Sequence, residues 1–94
     1  MSLFVIERDI PEIGSADREA LKGAANKSNQ VLAEMRSEGK NITWEHSYVA
    51  DNKTFCIYDT DGENLIREHA QRSGFPATTV TAISKVISPA TAEG

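Results

Sequence analysis

The sequence predicts an α+β domain whose elements follow the order β-α-β-β-α-β. Three observations carry this. Two stretches space their apolar residues three, four or seven apart between polar starts and glycine stops, as buried helix faces do. Four shorter stretches are rich in β-branched and aromatic residues. The two middle ones are separated only by Asp51-Asn52-Lys53, whose Asp and Asn side chains bond their own backbone and favour a turn.

The elements follow in order. Leu3 to Arg8 (LFVIER) is the first strand, broken by Pro11 and Gly14. Ser15 is the expected N-cap of the first helix, with Asp17 and Glu19 suiting its positive end. That helix runs to about Glu38, where Gly39 stops it, and buries a stripe through Leu21, Ala24, Ala25, Val31, Leu32 and Met35. Ile42 to Val49 and Thr54 to Tyr58 are the second and third strands. Asp59 to Gly62 starts a second helix over Glu63 to Arg72, ended by Gly74 and Pro76. Thr78 to Ile87 is the last strand. The whole is one domain, residues 1–94, with a core over about 3–88 and a loose tail over 89–94.

This order is the split βαβ, or ferredoxin-like, arrangement. Right-handed crossovers then give a four-stranded antiparallel sheet with both helices on one face. An apolar or aromatic open face requires a cover, most simply a second copy. Strand alternation assigns Trp44, His46 and Tyr48 to one face. A three-residue hairpin loop places Cys56 beside Tyr48 and Tyr58 beside His46. It sends Phe55 and Ile57 toward the helices and gathers Trp44, Tyr48 and Tyr58 as a pocket wall or dimer interface. A two-residue loop pairs Tyr48 with Phe55 instead.

The composition excludes several classes of partner. The net charge is −4 and Lys and Arg do not cluster, which argues against nucleic acid and anionic membranes. No apolar run approaches the roughly 20 residues that span a bilayer, and no basic start precedes a long apolar segment. One cysteine forms no internal disulfide and suits a reducing cytoplasm. The opening Met1-Ser2-Leu3 and closing Glu93-Gly94 have the look of vector-derived ends.

The segment from Trp44 to Pro76 resembles a family of small bacterial proteins. It is a domain of unknown function, some members of which are described as nickel-responsive or nickel-binding. The shared pattern is Trp44, Ser47-Tyr48-Val49, Asp51, Phe55-Cys56, Tyr58, Ile66-Arg67-Glu68-His69-Ala70 and Gly74-Phe75-Pro76, preceded by the early FVIERDIP. The resemblance spans roughly Phe4 to Val86. It implies a ferredoxin-like fold, a homodimer of the α/β-barrel kind, and nickel or another divalent transition metal; no organic cofactor is implied.

The donors available to such a metal are few. His46 and Cys56 are the leading pair, since imidazole and thiolate suit nickel, zinc or copper. Their bland reading, a hydrogen-bonded wall residue and a small buried hydrophobe, is the commoner one for residues without a close-spaced ligand motif. His69 lies beside the apolar stripe of the second helix, where capping the core is the usual role. Glu7 interrupts an apolar strand and Glu45 lies in the next; either carboxylate could complete a shell. One compact site does not readily hold His46, Cys56 and His69 together, so two weaker sites or one shared across a dimer are expected. No phosphate loop, Gly-x-Ser-x-Gly elbow or His-Glu-x-x-His motif is present. The alternative is a cofactor-free dimeric α/β-barrel enzyme or a small-molecule binder, with its cavity between helices and sheet or at the dimer interface.

Overall fold

The computed structural model describes all residues, 1–94. β1 (Ser2–Asp9) leads through a short 3-10 turn, Ile13–Ser15, into α1 (Arg18–Ser37). β2 (Ile42–Val49) and β3 (Lys53–Thr60) form the hairpin, followed by α2 (Glu63–Ser73) and β4 (Thr79–Ala82). The strands make one antiparallel sheet in the order β2-β3-β1-β4. This is the expected connection order, and the sheet is open, not closed into a barrel.

The local signals mostly act where the sequence puts them. Gly74 ends α2 in the left-handed region at φ 83, which costs a glycine little. α1 is capped by Asp17, whose carboxylate accepts from the Ala20 backbone N–H at 2.8 Å, and not by Ser15. Ser15 is used up in the 3-10 turn. β4 has four residues instead of ten. It pairs antiparallel with β1 from Glu7↔Thr79 to Phe4↔Ala82, so β1 runs out of residues soon after Ile83 donates to Leu3. A strand extends only as far as its partner. The tail Pro89–Glu93 forms a 3-10 turn started by a Ser88–Thr91 capping box.

The hairpin register differs from the expected one. Tyr48 pairs with Phe55, Ser47 with Cys56 and His46 with Ile57. Phe55 and Ile57 therefore face the open side, half-buried, while Thr54, Cys56, Tyr58 and Thr60 face the helices, buried. β1 settles this choice. Phe4, Ile6 and Arg8 occupy its buried side, and their β3 partners are Tyr58, Cys56 and Thr54. Directly paired residues share a face.

The core is the helix side of the sheet. Ile6, at 0% exposure, shares one buried cluster with Val31, Leu32 and Met35 of α1, Leu65 and Ile66 of α2, and Ile42, Cys56 and Tyr58 of the sheet. At the far end, Arg72 grips Glu38 through both terminal nitrogens at 2.9 and 2.7 Å, and Lys40 bridges Glu38 and Glu68. These partly exposed pairs add little energy but fix how the two helices meet.

Gly14 is fixed by a close approach. Its N–H donates to Asp51 O, and a Cβ there would stand 2.8 Å from both Ala50 O and Asp51 Cα. The turn after β1 is thus pressed onto the hairpin loop, as Ile10 N–H to Asn52 O also requires. Gly14→Ala is expected to destabilise by about 1–3 kcal/mol, since backbone must move. Ile6→Ala should lose about 2–5 kcal/mol. Urea unfolding of both variants against wild type measures this; an unchanged midpoint for either contradicts the packing described.

Candidate functional site

The site begins with an irregularity. The β2–β3 register shifts between Trp44 and His46, so Glu45 is an extra residue in a bulge. On the Trp44 side, Ile42 and Trp44 face the helices; beyond the bulge Ser47 and Val49 do. Adjacent Glu45 and His46 both border the opposite, open face together with Tyr48. Strict alternation had placed Trp44, His46 and Tyr48 on one face; the bulge moves Trp44 to the other. Its indole N–H donates to Ser47 Oγ at 2.8 Å, tying the two sides of the bulge together.

The helix-side residues border a cavity of about 240 Å³ between α1 and the sheet. Leu21, Ala24 and Ala25 of α1, Trp44 of β2 and Phe75 beyond α2 are among the residues that line it. The polar groups converge at Arg8, Ser28, Thr54, Cys56 and Tyr58. Arg8 is 3% exposed. Its Nη1 donates to the carbonyls of Phe75 and Pro76 at 3.2 and 3.0 Å, and its Nη2 lies 3.5 Å from the Tyr58 hydroxyl. Burial pushes the Tyr58 phenol above its ordinary value, against the opposing pull of Arg8 and Ser28.

His69 lies behind this group, 1% exposed, its ring 5.5 Å from that of Tyr58. Its Nε2 is 3.2 Å from Ser28 Oγ, while its Nδ1 is buried without a partner. Burial first, and the Arg8 charge second, lower its pKa to about 4, so the ring is neutral at pH 7.

The five metal candidates are divided between the two faces. Glu45 and His46 share the open-face groove, where the His46 ring meets Tyr48 edge-on at 5.1 Å. Glu7 is on that face too, but pairs with Lys53 at 3.3 Å. Cys56 is on the helix side, buried with its Sγ 3.6 Å from Thr54 Oγ1. His46 and Cys56 therefore do not share a face, because the true register inverts Cys56. No group of three or more His, Cys, Asp or Glu side chains is placed to hold one ion. Within a single chain, then, the donors do not make a nickel shell. Of the aromatic set, only Tyr48 is on the open face; Trp44 and Tyr58 belong to the cavity. Arg8 and Ser28 were not singled out from sequence. Arg8 had a readable signal: it continues the Phe4, Ile6 alternation of the buried face.

The molecule is thus a small α+β domain: an open four-stranded antiparallel sheet with two helices on one face, one cavity beneath them and a bare groove opposite. It belongs to the family of nickel-responsive proteins like SCO4226, whose family model matches residues 4–83. SCO4226 from Streptomyces coelicolor A3(2), known from its crystal structure, shares the fold. The TM-score is 0.73 at 13% identity, over 92% of this chain and 100% of that one. No curated protein sequence matches this chain. No helix is long and apolar enough to cross a membrane.

The buried neutral His69 has a consequence for stability. In the unfolded chain it takes up a proton near pH 6.5; in the folded chain it does so only near pH 4. The unfolded state therefore binds more protons between these values, and stability falls as pH drops through that window. The expected loss attributable to His69 is on the order of 2–3 kcal/mol between pH 7 and pH 4. Urea midpoints of wild type and His69→Gln over that range measure it; parallel losses in both proteins would show that His69 does not contribute.

Proposed function

We propose that this chain works in the cytoplasm as a homodimer that responds to a divalent transition metal, nickel first among them. In this reading the open sheet faces of two copies meet, and each supplies His46 and Glu45 to a shell that neither completes alone. The carrying observation is the open face itself. Leu3, Ile57, Ile83 and Val86 border its groove, where Tyr48 is 64% and Val86 73% exposed. A contiguous apolar surface around an exposed histidine suits a covered interface better than water. Imidazole is a good nickel donor and a carboxylate can complete its shell. The family's nickel-responsive name supports the choice of ion.

Sedimentation velocity on tag-free protein at micromolar concentration tests the dimer, and calorimetric titration with nickel tests the metal. A dimer is expected, with stoichiometric nickel binding that His46→Ala weakens at least tenfold. Tyr48→Glu should weaken association at least tenfold, about 1.4 kcal/mol, while leaving the fold intact. A monomer at that concentration would sink the dimer. Nickel affinity unchanged in His46→Ala would remove this groove as the metal site.

A further inference from the structure

Arg8 carries a buried positive charge without an anion. Its three hydrogen-bond partners are two backbone carbonyls and the Tyr58 hydroxyl, and its guanidinium carbon lies 5.9 Å from the centre of the Tyr58 ring, so no carboxylate meets it. None of the seven ion pairs in the molecule includes it. Isolated buried charges are strongly unfavourable, so proteins pair them. A guanidinium offers five N–H donors. Nη1 uses two on the carbonyls and Nη2 one on Tyr58, which leaves the Nε–H and one Nη2–H. Two such donors can hold a carboxylate with parallel bonds.

What lies beside Arg8 narrows the ligand. The cavity measures about 240 Å³, below the range of drug-sized sites. At a share of about 30 Å³ per water, it has room for roughly eight waters, or a ligand on the order of ten non-hydrogen atoms. Ten of its 14 bordering residues are hydrophobic, so the body of the ligand must be apolar. Arg8 is the one charged residue among the 14, which matches a monoanion better than a phosphate dianion. Ser28, Thr54 and Tyr58 add hydroxyl-bearing side chains to the lining.

We infer that this cavity binds a small monocarboxylic acid with an apolar body, its carboxylate held by Arg8 and its body between α1 and Trp44. This does not depend on the metal reading, which concerns the opposite face of the sheet.

Trp44 is the single tryptophan and borders the cavity, so its fluorescence reports on occupancy. The probes are benzoate, phenylacetate and isovalerate, with benzamide as a neutral control and inorganic phosphate as a second anion. At least one carboxylate should give a saturable change with a Kd in the millimolar range or tighter, near −4 kcal/mol or better. Benzamide and phosphate should bind at least tenfold more weakly than benzoate. Arg8→Gln should lose at least tenfold in affinity for the carboxylate. Because Arg8 also holds the Phe75-Pro76 segment, Ala25→Leu provides a second variant that fills the cavity and leaves Arg8 in place. It should lose the carboxylate while keeping its cooperative thermal transition by circular dichroism. The inference is overturned if no carboxylate gives a saturable change up to about 10 mM. It is also overturned if benzamide or phosphate matches benzoate, or if Ala25→Leu binds as wild type does.

Discussion

The structure depends on the sheet being covered on one side only. In a strand, successive side chains must go to opposite faces. With both helices on one side, every strand residue is committed either to the core or to the open face. Phe4, Ile6, Cys56 and Tyr58 are committed inward, and the helix stripe of Val31, Leu32 and Met35 closes over them. Leu3, Val5, Phe55 and Ile57 are committed outward and stay half-buried at best. The two faces therefore carry different chemistry, and a residue's neighbours follow from its parity.

The bulge at Glu45 is the one place where parity is broken, and both candidate sites depend on it. Without the extra residue, Trp44 and Ser47 could not both face the helices, nor Glu45 and His46 both border the open groove. The bulge gives the cavity its indole wall and the groove its neighbouring carboxylate and imidazole. Bulges commonly re-aim side chains in this way next to functional sites.

Arg8 links fold to chemistry in a similar manner. Its two bonds to the carbonyls of Phe75 and Pro76 tie β1 to the segment that leaves α2, so it has a structural duty. The same charge helps keep His69 neutral. Around it the protein has assembled hydroxyls and an apolar wall but no carboxylate. A residue that served packing alone would not need to be charged there, since a buried hydrophobe of similar volume is often as stable.

The order of the elements, the helix stops and the inward stripe of α1 were legible in the sequence, because glycines and apolar periods act within a few residues of themselves. Gly39, Gly74 and the span Ile42–Val49 are read correctly for that reason. Even Arg8 was within reach, as the third member of the buried alternation that begins Phe4, Ile6. What sequence could not determine was anything that depends on a second strand. The hairpin register rests on β1 pairing with β3, the length of β4 rests on where β1 ends, and the bulge rests on both sides of the β2–β3 ladder. A shift of one residue in that ladder moves Cys56 and Tyr58 from one face to the other at no change in local propensity. Tertiary packing alone chose between the two faces, because only the arrangement adopted buries Phe4, Ile6, Cys56 and Tyr58 together beneath the helices.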